Sequence, residues 1–298
     1  MVVVNGASFR GQLQQQVSMG GYTSWRVGGP ARCLYRPADV DDLMAFLGSL
    51  PEDEPLSWLG LGSNLLVRDG GIEGTVIAIA GALNRIERRS ATTVWVEAGV
   101  PCAKLAKFCA REGLRGAEFM AGIPGTVGGA LAMNAGAFGR ETWELVTAVE
   151  TVGVGGRRHR RRPQEYQVGY REVHRPKGEW FIAAELRLAQ GDSQAAQQQI
   201  RHLLRHRNSC QPTQQPCAGS VFRNPPNDKA GRLIESCGLK GVSIGGAQVS
   251  EKHANFIVNT GDAAAADIEH LIQLVAETVA RRRGVTLVPE VHVVGDLA

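Results

Sequence analysis

Between Gly122 and Ala137 the chain carries five glycines and four alanines, in the run Gly122-Ile123-Pro124-Gly125-Thr126-Val127-Gly128-Gly129-Ala130 that continues to Asn134-Ala135-Gly136-Ala137. A glycine inside a helix costs about 1 kcal/mol relative to alanine. Such a run is therefore not expected to build an ordinary core helix, and something must offset its cost. Close approach of the backbone to a flat or charged cofactor is the simplest candidate. The residues offered for that contact are Gly122, Ile123, Pro124, Gly125, Thr126, Gly128, Gly129, Asn134, Ala135 and Gly136.

A second glycine loop lies upstream, Gly60-Leu61-Gly62-Ser63-Asn64-Leu65-Leu66. A strand over 56–61 feeding small residues leaves amides that can cradle phosphate, with Gly60, Gly62, Ser63, Asn64 and Leu65 as the candidates. Leu65 stands where a Rossmann fingerprint needs its third glycine, and no Gly-Lys-Ser/Thr follows as in a P-loop. Taken alone, an ordinary tight turn explains this loop equally well. The two loops together point to a nucleotide cofactor on a fold other than Rossmann.

The 298 residues are enough for two or three cores. A net charge of +4 suits an anionic small ligand and is too weak to imply nucleic acid. The only dense basic run, Arg157 to Arg162, follows the turn at Gly155-Gly156 and is expected on an exposed hairpin. The start of the chain lacks the plan of a signal peptide. No apolar run approaches the roughly 20 residues of a membrane span. A cytoplasmic monomer that engages neither membrane nor nucleic acid is the expectation. The six cysteines include no C-x-x-C pair and read as reduced thiols. His202 and His206 lie one helical turn apart without a zincin glutamate, so no metal is expected.

Periodicity predicts a helix capped by Asp39 with Leu43, Phe46 and Leu47 inward. It places strands at 75–79, 94–98, 146–154, 157–162 and 180–189, and a helix starting at Pro101. A helix carrying Ile200, Leu203 and Leu204 follows. A strand-like run at 254–258 precedes an amphipathic helix with Asp262 as its cap and Gly284 as its stop. Residues 1–18 show no apolar periodicity and read as a loose arm.

A wider set of motifs resembles one family in order. Thr23-Ser24-Trp25-Arg26-Val27-Gly28-Gly29-Pro30-Ala31 and the two glycine loops are similar to the FAD-binding half of UDP-N-acetylenolpyruvoylglucosamine reductases, a region of the vanillyl-alcohol-oxidase (PCMH) type. The likeness continues through Tyr170-Arg171, Gly219 to Pro225, Ala230 to Glu235, Gly238 to Gly241, Gly246 to Phe256 and Pro289-Glu290-Val291. One motif alone would be weak, whereas the ordered set over about residues 20 to 292 is specific.

The resemblance implies an α+β protein. Its parts would be an N-terminal arm (1–18), an FAD-binding region (19–190, with α/β subdomains of about 19–82 and 83–190) and a C-terminal α/β substrate domain (208–298). It implies non-covalent FAD, NADPH as co-substrate and a UDP-sugar substrate whose enolpyruvyl ether is reduced to a lactyl ether, giving UDP-N-acetylmuramate for peptidoglycan. Hydride delivery to the vinyl group builds negative charge beside a carboxylate, so the site needs a cation, a hydrogen-bonding acid and a proton donor. By matching position, Ser220 is the proton donor, Arg171 the carboxylate partner and Glu290 a protonated acid at the same carboxylate; Tyr170 and Asn224 are substrate contacts. Val173 and His174 replace a serine that many relatives carry after the Tyr-Arg pair. Cys210, where some relatives have lysine, precedes Gln211-Pro212, and the short stretch to Trp180 is similar to a shorter second type without the extra tyrosine-bearing loop.

Two rivals stand beside this reading. A sugar or alcohol oxidase on the same cofactor fold would often tether FAD through histidine, yet no histidine precedes His159. A nucleic-acid-binding protein would use the arginine run but leaves both glycine loops unexplained.

Overall fold

The structure, a computed structural model, describes residues 2–4 and 7–298, with side chains described from residue 8 onward. The chain forms two compact units, and it passes between them at 15/16, 32/33, 61/62, 73/74 and 205/206.

The first unit is built on an antiparallel five-stranded sheet. Its strands run in the order Arg158–Arg161, Val146–Gly153, Glu179–Arg187, Thr93–Glu97 and Ile86–Arg88. Valine-rich strands such as Thr93–Glu97 suit this pleated, half-buried position. Helix α1 (Val40–Ser49) begins where Asp39 accepts the Asp42 amide at 2.9 Å, as its cap residue requires. Its inward face, Leu43, Phe46 and Leu47, forms one core with Phe9, Tyr35, Ile77 and Ile182. Tyr35 and Phe46 stack at 3.6 Å. Helices α2 (Cys102–Arg111) and α3 (Val127–Met133) share a larger core with the sheet and with Ile200 of α4 (Ser193–Cys210).

Two expectations change here. Residues 12–18 are not a loose arm but a strand, Gln12–Ser18, at the edge of a four-stranded sheet that continues through Pro30–Arg36, Ile72–Ala78 and Leu56–Leu59. The alternation that marks a strand is muted because most of its side chains face solvent. Residues 2–4 and 7–9 also pair as short antiparallel strands, and for residues 1 and 5–6 the arm expectation lies outside the described residues. The glycine-rich run does contain a helix, α3, because Gly128 lets it lie against Ala98, the residue that follows strand Thr93–Glu97. A Cβ at Gly128 would stand 2.9 Å from the Ala98 Cβ. That glycine is used for packing.

The second unit holds a three-stranded antiparallel sheet of Ser243–Ile244, Ala247–Val249 and Ile257–Asn259. It also holds a parallel pair of Leu65–Val67 with His292–Val294. Helices α5 (Ala230–Ser236) and α6 (Ala265–Arg283) pack their apolar stripes, including Leu233, Ile268, Leu271 and Val275, into its core. Trp25 from the first motif is fully buried there and donates its indole N–H to the Ile257 carbonyl at 2.7 Å. Gly284 stops α6 in the left-handed conformation, as expected. Asp262 does not cap it. The first amides of α6, those of Ala265 and Ala266, donate to the carboxylate of Asp69 at 3.0 and 2.9 Å, and Asp267 accepts the Ala264 amide. A cap from nearly two hundred residues upstream has no local signature.

Candidate active site

In the first unit, Tyr170 and Arg171 form the two-residue turn of a hairpin whose strands are Gln167–Gly169 and Glu172–His174. Arg171 has φ +58°, a left-handed conformation uncommon for a side chain of this size. Its guanidinium lies 5.6 Å over the Tyr170 ring and donates from Nη2 to the Gly136 carbonyl at 2.9 Å. Strain of this kind persists where the surroundings impose it, and it gathers at functional positions.

Beneath that turn runs the glycine-rich segment 122–137. Thr126 starts α3, and the amides of Val127, Gly128 and Ala130 donate to Val100, Ala98 and Thr126 carbonyls, while Gly129 donates to the Thr126 hydroxyl. The first turn of α3 is thus spent on the protein itself. What this stretch offers a ligand is shape. Pro124 and Gly129 are exposed, and a Cβ at Gly129 would meet nothing nearer than Thr126 at 3.8 Å. That side-chain-poor surface beside the Thr126 cap fits a flat ring system. Gly122 is closed instead, since its Cβ would strike the Phe138 ring at 2.4 Å. Gly60 likewise faces the Thr126 hydroxyl at 2.5 Å.

Asn134 is 2% exposed, and its amide is engaged inside the protein. Nδ2 donates to Glu141 Oε2 at 2.7 Å and to the Gly169 carbonyl at 3.0 Å, and Oδ1 accepts the Trp143 amide at 3.2 Å. Ala135 follows, and Gly136–Ala137 form a short hairpin with Arg140–Glu141.

In the second unit, Ser220 and Glu290 come from segments 70 residues apart that lie side by side. Residues 221–223 run antiparallel to 288–290: the Glu290 amide donates to the Val221 carbonyl at 2.7 Å, the Arg223 amide to Val288 at 2.9 Å, and Phe222 bridges Pro289. Ser220 and Glu290 are both half-buried. The glycine loop at 60–66 joins them. Asn64 Nδ2 donates to the Glu290 carbonyl at 2.8 Å, the Asn64 carbonyl accepts the His292 amide, and the Ser63 carbonyl accepts the Gly219 amide at 3.3 Å. Gly62, at φ +60°, permits this course, because a Cβ would sit 2.0 Å from the Tyr22 carbonyl. Leu65 opens the strand paired with His292. Asn224 is exposed, and its side-chain oxygen accepts the Ala230 amide at 3.0 Å, capping α5.

Two supporting residues were not anticipated. Asn255, 3% exposed, brackets Phe222: its Oδ1 accepts the Phe222 amide at 3.0 Å and its Nδ2 donates to the Phe222 carbonyl at 2.8 Å. The expected strand at 254–258 begins only at Ile257, because Asn255 is turned toward this task. An asparagine within the apolar run Ala254 to Val258 was the available signal. Glu141, the acceptor for Asn134, carried no such signal.

Residues Arg158–Arg161 of the arginine run form the edge strand of the first sheet, and three of its arginines are ion-paired. Arg158 pairs with Glu150, Arg160 with Glu185, and Arg161 with Glu165 and Glu179. The six cysteines are free thiols, with burial raising Cys102 and Cys109 to about 12 and Cys217 to about 11. His202 and His206 are exposed on α4. Among the described residues no helix is long and apolar enough to cross a membrane.

Comparison with known proteins agrees over the whole chain. The FAD binding domain family matches residues 30–161, and the UDP-N-acetylenolpyruvoylglucosamine reductase C-terminal domain family matches 211–294. The UDP-N-acetylenolpyruvoylglucosamine reductase of Nitrosococcus oceani is 78% identical over 295 residues, 99% of each chain. That of Methylococcus capsulatus is 60% identical, over 97% of this chain and 95% of the relative. The crystal structure of UDP-N-acetylenolpyruvylglucosamine reductase from Thermus caldophilus superposes with a TM-score of 0.82 at 35% identity, covering 96% of this chain and 99% of that one. The α+β class with an FAD-binding region is thereby borne out, and the chain belongs to the UDP-N-acetylenolpyruvoylglucosamine reductase family.

Proposed function

We propose that Ser220, Arg171 and Glu290 carry out the family's reaction here: FAD-dependent reduction, by NADPH, of UDP-N-acetylglucosamine enolpyruvate to UDP-N-acetylmuramate. We place it in the cytoplasm as a monomer, and assign 19–190 to cofactor binding and 208–298 to substrate binding. The observation that carries the reading is the pairing of the Ser220 and Glu290 segments through Val221 and Glu290, with Asn64 holding the Glu290 carbonyl. It supports a proton donor and an acid presented together from one rigid ladder.

Non-covalently bound FAD, reduced by NADPH, supplies the hydride. The open backbone around Pro124, Gly125 and Gly129 is what would hold it. Arg171 pairs with the substrate carboxylate and stabilises the negative charge that develops beside it. Glu290, protonated, donates a hydrogen bond to the same group. Ser220 gives its hydroxyl proton to the neighbouring carbon; a serine is a weak acid, so its contribution rests on position. Tyr170, exposed at 48% beside Arg171, and Asn224, whose side chain caps α5, contact the UDP-sugar.

The test is anaerobic visible spectroscopy of Ser220→Ala. NADPH should still bleach the flavin bands, and reoxidation by the enolpyruvyl substrate should slow by about 10⁴-fold. Reoxidation at the wild-type rate would remove Ser220 from the mechanism.

A further inference from the structure

Asn134 was matched to cofactor binding, but both N–H donors of its amide are committed, one to Glu141 Oε2 and one to the Gly169 carbonyl. A carboxamide has only those two. Gly169 directly precedes the Tyr170–Arg171 turn. Two residues beyond Asn134, the Gly136 carbonyl accepts Arg171 Nη2. The segment 134–136 therefore grips this turn twice, once at the backbone entering it and once at the guanidinium. Asn134 itself is left-handed, φ 45° and ψ 50°, where it ends α3. The Trp143 amide on Oδ1 and the Glu141 carboxylate on Nδ2 fix which way the amide faces. Arg171 at φ +58° needs such a fixture, since an unsupported turn would relax to a less strained conformation.

We propose that Asn134 is a positioning residue for Arg171 and not a flavin ligand. It holds the Gly169 carbonyl so that the turn keeps its left-handed residue and the guanidinium stays aimed. This rests on the reading of Arg171 as the carboxylate partner.

The experiment uses the full-length FAD-loaded protein and measures the two half-reactions separately. Asn134→Gly suits the left-handed end of α3 while deleting the amide. The flavin spectrum and FAD dissociation constant should stay within about threefold of wild type, as should bleaching by NADPH. Reoxidation by the enolpyruvyl substrate should slow by about 10- to 100-fold, the loss expected of a reacting group misplaced by about 1 Å. In an Arg171→Ala background the same substitution should add less than about threefold, because its effect passes through that side chain. Glu141→Ala, which removes one anchor of the amide and leaves Asn134 in place, should give the same split at a few-fold and serves if Asn134→Gly does not fold. Equal slowing in both backgrounds, or weakened FAD binding with an unchanged reoxidation rate at saturating FAD, overturns the proposal. Arg171→Ala with wild-type reoxidation would instead overturn the underlying role of Arg171, and the positioning role with it.

Discussion

Arg171 rides on a two-residue turn of a short hairpin with exposed edges, whereas Ser220 lies in a segment tied on one side to residues 288–290 and on the other to Asn255. Each place depends on a buried asparagine that grips backbone, Asn134 in the first unit and Asn255 in the second. The surroundings differ. Asn134 holds one carbonyl next to a strained residue, and the rest of the hairpin has little core beneath it. Asn255 satisfies both polar groups of Phe222, a residue that is itself 1% exposed and packed in the core of its unit. The same side chain thus serves geometry in one place and stability in the other. A buried amide without partners costs free energy wherever it sits, but an exposed turn held by local hydrogen bonds can move without the fold being lost.

That contrast is open to direct attack. The largest effect is expected from Asn255→Ala. It strands the amide and carbonyl of Phe222 away from water and should cost about 2–4 kcal/mol, read as a lower midpoint of denaturant unfolding. A variant as stable as wild type would mean that Asn255 resembles Asn134 after all. Next comes Gly128→Ala, which forces α3 away from Ala98 and should cost about 1–3 kcal/mol. Because α3 ends at Asn134, the surviving folded protein should also show slowed reoxidation by substrate, a coupling absent if the turn is independent of α3.

The smallest effect concerns acid. The base of the Arg171 hairpin is clasped by Arg161, which pairs with Glu165 before it and Glu179 after it. The Arg161 guanidinium, with help from the Thr151 hydroxyl, holds Glu179 below its usual range despite burial. A depressed carboxylate contributes stability above its unfolded value, near 4.5, and loses it as pH falls through the folded value. Hydrogen exchange at pH 3 to 4 should therefore show residues 167–174 loosening before 219–223, whose ties are uncharged hydrogen bonds. Arg161→Met should loosen 167–174 already at neutral pH and remove the further loosening in acid. Simultaneous loosening of both segments would show that the clasp does not distinguish them.

Much of this was legible in the residues because it rests on local rules. The Asp39 cap, the apolar stripe of α6, its Gly284 stop and the valine-rich strands of the five-stranded sheet follow from spacing alone. The ordered motifs gave the family, and with it the cofactor, the substrate and the residues of interest, because chemistry at a flavin tolerates few side chains. Tertiary structure decided how those residues are held. The cap of α6 came from Asp69 and not Asp262, because a helix amide donates equally to any carboxylate that packing delivers. Gly128 proved to serve the packing of α3 against Ala98, since a missing Cβ reads the same in sequence whether protein or ligand fills the space. Asn134 and Asn255 are single polar letters in their motifs; their hydrogen bonds reach 35 and 33 residues along the chain, and only folding brings those partners within 3 Å.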